Sequence, residues 1–233
     1  MTPEIPIRAL ACDYDETLAS AGKIGPQALQ ALARLKAWGG KIILVTGREL
    51  DDLRKVCPRM DLFDFIVAEN GAVLFRPATA HTRSLAAPPP DNFVQALRQQ
   101  GVEPLSVGLA IVATTREHYD AVEETIARMA LDLDLIFNRS SLMLLPPGVN
   151  KGTGLRLALE ELRLLPQNVV GVGDAENDDS FLAICGYYVA VANAIPTVQK
   201  AADLVTDRAY GAGVAEVIDR ILAGDLWPSR TSR

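Results

Sequence analysis

Acidic residues gather at two places in this sequence, each directly after an apolar run that reads as a buried strand. The stretch ALACDYDETLA ends its run in Asp13, Tyr14, Asp15, Glu16 and Thr17, and VVGVGDAENDDSFL ends its run in Asp174, Glu176, Asn177, Asp178 and Asp179. Asp13 and Asp15 are two apart, so on extended backbone their side chains project to the same side. In the second cluster, acids at the start of a helix complement its macrodipole, but capping accounts for one or two of them and not for so many. Brought together, the two clusters would repel strongly unless a divalent cation sat between them. Oxygen ligands without histidine or cysteine point to Mg²⁺.

Two further positions suit a phosphate. The run ILVTGRE puts Thr46 and Gly47 at the end of a second strand, offering a hydroxyl and an approachable backbone N–H to an anion. In PPGVNKGTGLRLALEELRLL, Lys151 opens an amphipathic helix, where its charge opposes the helix dipole, and it offers a compact cation to a phosphate or carboxylate.

These residues need a scaffold that carries strand ends to one edge. Short Ile-, Val-, Leu- and Ala-rich runs alternate with helical patterns, the mark of βαβ units and a parallel sheet. Strands are predicted at residues 7–12, 41–45, 65–68, 168–172 and 187–191, with a crossover helix in GPQALQALARLKAWGG. In an open α/β sheet ligands bind outside the carboxyl ends of the strands, where Asp13, Thr46 and Asp174 fall. The rhythm breaks after a strand at 72–75. RPATAHTRSLAAPPPDN reads as loop, followed by a helix at 92–100, one strand in SVGLAIVATT, a helix at 117–131 and a strand pair turning near Arg139 and Ser140. The expected fold is therefore α/β, a Rossmann-like parallel core formed by residues 1–77 and 148–233, with a small α+β unit, residues 78–147, inserted in it.

Composition narrows the function. The 233 residues are 49% hydrophobic and carry a formal charge of -6, with no Lys/Arg-rich run to neutralise a nucleic-acid backbone. No run of about 18 apolar residues marks a membrane span. Three cysteines in no paired spacing suggest neither a disulfide framework nor a zinc site, so a cytoplasmic protein is expected.

Taken in order, Asp13/Asp15/Thr17, Thr46, Lys151 and Asp174/Asn177/Asp178 resemble the DxDxT, Thr, Lys and GDxxND motifs of the haloacid dehalogenase superfamily. AENGA at 68–72 and the position of the insertion resemble its subgroup with a C2-type cap, which includes Cof-type, sucrose-phosphate and archaeal phosphoglycolate phosphatases. The resemblance implies a phosphomonoester hydrolase for a small phosphorylated metabolite, such as a sugar phosphate or phosphoglycolate. Asp13 would be the nucleophile that forms an aspartyl-phosphate, and Asp15 the general acid and base. Mg²⁺ would be held by Asp13, the main-chain carbonyl of Asp15 and Asp174, supported by Asp178 or Asn177. Thr46, Gly47 and Lys151 would bind phosphate oxygens, and Thr17 would brace the turn; Asn138 and Arg139 of the inserted unit are candidates for reaching the substrate, although a solvated hairpin turn explains them more simply. The second Asp argues against dehalogenation, which needs no acid. A phosphomutase of the phosphomannomutase type and a weakly catalytic phosphate-binding module are the alternatives, the latter because Glu16 stands where many relatives have Gly. If that position needs a positive φ, Glu costs about 1 kcal/mol there.

Overall fold

All five residues of Ala9–Asp13 are buried, so this first strand has no solvent face and must lie inside a sheet covered on both sides. The computed structural model describes residues 7–226, and the C-terminal WPSRTSR, read as a short tail, lies outside them. Along the chain, β1 (Ala9–Asp13) leads through a ribbon, β2 (Ala19–Ser20) and β3 (Lys23–Ile24), to α1 (Pro26–Trp38) and β4 (Lys41–Val45). Then follow α2 (Leu50–Val56), β5 (Phe65–Ala68), β6 (Val73–Arg76) and β7 (His81–Ser84). The middle of the chain builds α3 (Asp91–Gln99), β8 (Ser106–Val107), β9 (Val112–Thr115), α4 (Tyr119–Arg128), β10 (Asp134–Asn138) and β11 (Ser141–Leu145). The last third runs through α5 (Lys151–Leu162), β12 (Val169–Gly173), α6 (Asp179–Leu182), β13 (Tyr187–Ala190), α7 (Pro196–Ala201), β14 (Leu204–Val205) and α8 (Tyr210–Ala223).

The large sheet has the order β14-β13-β12-β1-β4-β5-β6-β7, parallel from β14 to β5 and antiparallel over β6 and β7. In register, Ala9 faces both Val169 and Lys41, so β1, β4 and β12 end level with one another. This places Asp13, Thr46 and Asp174 along one edge, at the point where the chain order reverses about β1. The apolar core is continuous through these strands and the inward faces of α1, α5 and α8. A second sheet, β10-β11-β9-β8, carries α3 and α4 over a smaller apolar cluster that includes Phe93, Leu97, Val122 and Leu142. The fold is the Rossmann-like α/β core with an inserted α+β unit that the alternating pattern predicts.

Two local expectations are corrected. The stretch 76–92 is not all loop, because β7 pairs with β6 and forms the edge of the large sheet. An edge strand needs main-chain pairing and no apolar alternation, so HTRS carries no strand signal in its side chains. SVGLAIVATT is not one strand: β8 and β9 pair antiparallel, Val107 opposite Val112, with the chain reversing between them. The reversal is made by a carboxylate from the other unit. Glu69, at φ 51° and 1% exposed, accepts hydrogen bonds from the backbone N–H groups of Leu109 (2.9 Å), Ala110 (2.8 Å) and Ile111 (3.1 Å). A Cβ at position 108 would stand 2.6 Å from Glu69 Oε2, so this approach requires Gly108.

Candidate active site

Lys151 is the centre of the arrangement. It is 1% exposed, and its Nζ donates to Asp13 Oδ1 at 2.5 Å and to Asp178 Oδ1 at 2.7 Å. Three features of the chain bring it there. Asn150 caps α5 by accepting the Thr153 N–H at 3.0 Å, while the Thr153 hydroxyl accepts the Asn150 N–H, which fixes the first turn. The helix start packs on the turn after β5, where Gly71 has φ +108° and a Cβ would lie 1.9 Å from the Asn150 carbonyl oxygen. Asp13 and Asp178 then offset the cost of a cation buried at the positive end of a helix. Burial alone would lower the pKa of the Lys151 ammonium, but Asp13 and Asp178 outweigh it and hold it above the ordinary lysine value.

Around Lys151 five of the six oxygens of Asp13, Asp174 and Asp178 accept hydrogen bonds. Asp178 Oδ2 accepts the N–H groups of Asp174 (2.8 Å) and Ala175 (3.0 Å), which ties the second acidic segment into a tight turn. Asp174 Oδ1 accepts the Thr17 hydroxyl at 2.8 Å, so Thr17 orients a carboxylate from another strand as well as belonging to the first turn. Asp174 Oδ2 accepts from Arg139 Nη2 at 2.5 Å. Burial and the neighbouring Asp178 push Asp13 well above the usual carboxylate range against the pull of Lys151, and push Asp174 upward too. One oxygen each of Asp13, Asp174 and Asp178 lies within 4.8 Å of the others, with no nitrogen or sulfur donor among them. This all-oxygen set suits a hard divalent cation. Lys151 and Arg139 supply part of the charge compensation that the sequence alone assigned to a metal.

Asp15 is directed differently. Its two oxygens take a bidentate pair from Arg48, Nε at 2.7 Å and Nη2 at 2.8 Å, and Arg48 also engages Asp52. Arg48 was not a candidate, although its place directly after Thr46 and Gly47 put it at the same sheet edge. Thr46 is fully buried; its hydroxyl accepts the Arg48 N–H at 3.1 Å and its carbonyl accepts the Asn70 N–H at 3.0 Å. Gly47 faces the inserted unit, since a Cβ there would stand 3.3 Å from Met143 Sδ. Asn177 Nδ2 donates to Asn70 Oδ1 at 3.2 Å, leaving Asn177 Oδ1 and Asn70 Nδ2 buried without partners among the described residues.

Glu16 does adopt the left-handed region, at φ 60°, and its carbonyl accepts a 2.7 Å hydrogen bond from Asn193 Nδ2. Asn193 in turn accepts the Tyr210 N–H at 2.8 Å, so the start of α8 supports the strained turn. The tip of the β10–β11 hairpin is exposed at Arg139 and Ser140, yet Arg139 reaches Asp174, and Asn138 Oδ1 is buried without a partner among the described residues.

The chain matches the model of the haloacid dehalogenase-like hydrolase family over residues 10–103 and 104–218. It is 30% identical over 225 residues to the phosphoglycolate phosphatase of Methanothermobacter thermautotrophicus, covering 93% of this chain and 99% of that one. It is also 30% identical over 222 residues to phosphoglycolate phosphatase 2 of Saccharolobus solfataricus, covering 93% of each. A haloacid dehalogenase-like hydrolase from Bacteroides thetaiotaomicron has the same fold, with a TM-score of 0.79 at 22% identity over 92% of this chain and 99% of that one. The order of the four motifs, their meeting at one sheet edge and the full-length match agree, and this chain belongs to the haloacid dehalogenase-like hydrolase family.

Proposed function

We propose that this protein is a Mg²⁺-dependent phosphomonoesterase for a small phosphorylated acid or sugar, working through an aspartyl-phosphate. The observation that carries this reading is the buried group of Asp13, Asp174 and Asp178 with Lys151 bridging two of them, at the edge where a phosphoryl group would meet Thr46. Asp13 attacks phosphorus through a carboxylate oxygen, forming the Asp–O–P bond as the ester P–O bond breaks, and Asp15 gives its proton to the leaving oxygen. Water then loses a proton to Asp15 and attacks the same phosphorus, which releases phosphate and restores Asp13. Lys151, Thr46 and the Gly47 N–H hold the phosphate oxygens that do not react.

Asp13, the Asp15 main-chain carbonyl and Asp174 would hold Mg²⁺, with Asp178 and Asn177 supporting. The cation supplies charge neutralisation that lets a carboxylate approach a phosphate dianion. Arg48 holds both oxygens of the resting Asp15 carboxylate, which must leave that pair to carry the proton, and the inserted unit closes over the leaving group as a cap. The names of the two curated relatives support 2-phosphoglycolate as a substrate to try first. No helix among the described residues is long and apolar enough to cross a membrane.

The test is phosphate release from 2-phosphoglycolate, several sugar phosphates and p-nitrophenyl phosphate, with and without Mg²⁺. Turnover that requires Mg²⁺ and vanishes in Asp13→Asn supports the proposal. Absence of turnover on every compound with Mg²⁺ present would contradict it.

A further inference from the structure

The six carboxylate oxygens of Asp13, Asp174 and Asp178 are almost all taken. Asp13 Oδ1 and Asp178 Oδ1 accept from Lys151, Asp178 Oδ2 accepts from two backbone N–H groups, and Asp174 Oδ1 accepts from Thr17. Asp174 Oδ2 is the oxygen of this residue not held by a buried donor, and Arg139 Nη2 stands on it at 2.5 Å. Arg139 is the only one of these donors that comes from the inserted unit. It sits at the tip of the β10–β11 hairpin with φ 53°, and its side chain is 49% exposed while that of Asp174 is 2% exposed. The other donors are main-chain N–H groups or the buried side chains of Thr17 and Lys151. Arg139 can swing into solvent.

Charge leads to the same residue. Three ionised carboxylates carry -3, and Lys151 with Arg139 returns +2, leaving -1. Exchange of Arg139 for a divalent cation leaves Lys151 and the cation at +3 and the site neutral. With all three in place the site would be at +1 and two cations would share one oxygen.

We propose that Arg139 and the divalent cation are alternative occupants of Asp174 Oδ2: without the cation Arg139 pins the cap hairpin to the core, and cation binding releases it. This rests on the reading of the carboxylates as the cation site. Released, Arg139 is a mobile cation at the cap tip, and the hairpin becomes free to follow the substrate. Removing the competitor should tighten the cation, and in the wild type the cation should loosen the hairpin.

The experiment uses full-length wild type, Arg139→Gln and Arg139→Lys without substrate. Mg²⁺ affinity is measured by titration calorimetry, and hydrogen exchange is followed in the 134–145 segment with and without Mg²⁺. Because one half-exposed ion pair is displaced, Arg139→Gln should bind Mg²⁺ about three- to tenfold more tightly. Mg²⁺ should speed exchange of the wild-type hairpin, while the Gln variant should exchange fast in both states and Arg139→Lys should lie between. Tighter binding with no Mg²⁺-dependent change in the wild-type hairpin would show only the loss of a nearby charge and overturn the exchange. Equal Mg²⁺ affinity in wild type and Arg139→Gln would overturn it and leave the cation site standing. No Mg²⁺ binding by any of the three would overturn both readings.

Discussion

In the proposed mechanism Asp13 has two demands on it, to be ionised as a nucleophile and to be buried beside two other acids. Burial and Asp178 raise its pKa in the folded state, so the native protein holds a proton there over a range where the unfolded chain has lost it. The sign follows: stability falls as pH rises from the unfolded value through the raised folded one, and the loss is complete above it. Asp13→Asn removes that titration. In metal-free protein the variant should therefore gain on wild type as pH rises from about 4, levelling off once Asp13 is ionised, as read by urea unfolding at a series of pH values. A difference that shrinks with rising pH would reverse the assignment. Lys151 is the complementary case. Lys151→Met should lose about 3–5 kcal/mol in metal-free protein, because two buried carboxylates lose their cation, and saturating Mg²⁺ should return part of it. Equilibrium unfolding with and without Mg²⁺ checks both parts.

The elements explain how such a site is held. The left-handed turn of Glu69, Asn70 and Gly71 after β5 has two tasks, receiving the start of α5 and sending a carboxylate into the β8–β9 reversal. Gly71→Ala adds a Cβ where the Asn150 carbonyl already lies, at a φ that L residues avoid, and should cost about 3 kcal/mol or more and displace Lys151. Gly101→Ala shares a positive φ but meets nothing within 4 Å, and should cost about 1 kcal/mol with activity kept. Urea unfolding and phosphatase assays on the pair separate strain from crowding. Glu69→Gln turns an amide N–H₂ toward backbone donors, so the amides of 109–111 should exchange faster with hydrogen and stability should fall by about 1.5–3 kcal/mol.

At the scale of the whole molecule, much was legible. The strands β4 and β5 follow from their apolar runs, and the motif residues fall at strand ends because a parallel sheet puts them there. What stayed hidden depends on partners distant in sequence. Arg48 and Thr17 act on Asp15 and Asp174 across 33 and 157 positions, and no local pattern reports that. The split of SVGLAIVATT was invisible because Glu69 makes it. Helix α8 went unpredicted although Val214, Val217, Ile218 and Ile221 stand at helical spacing, and it packs on α1. The proposed function turns on one chemical event, phosphoryl transfer to the Asp13 carboxylate. Acid quench of the Mg²⁺-loaded enzyme milliseconds after mixing with a phosphate-labelled substrate that it turns over tests it most directly. Label should precipitate with the wild type, map to the peptide containing Asp13 and be absent from Asp13→Asn. Full turnover with no label on that peptide at any quench time would contradict the account.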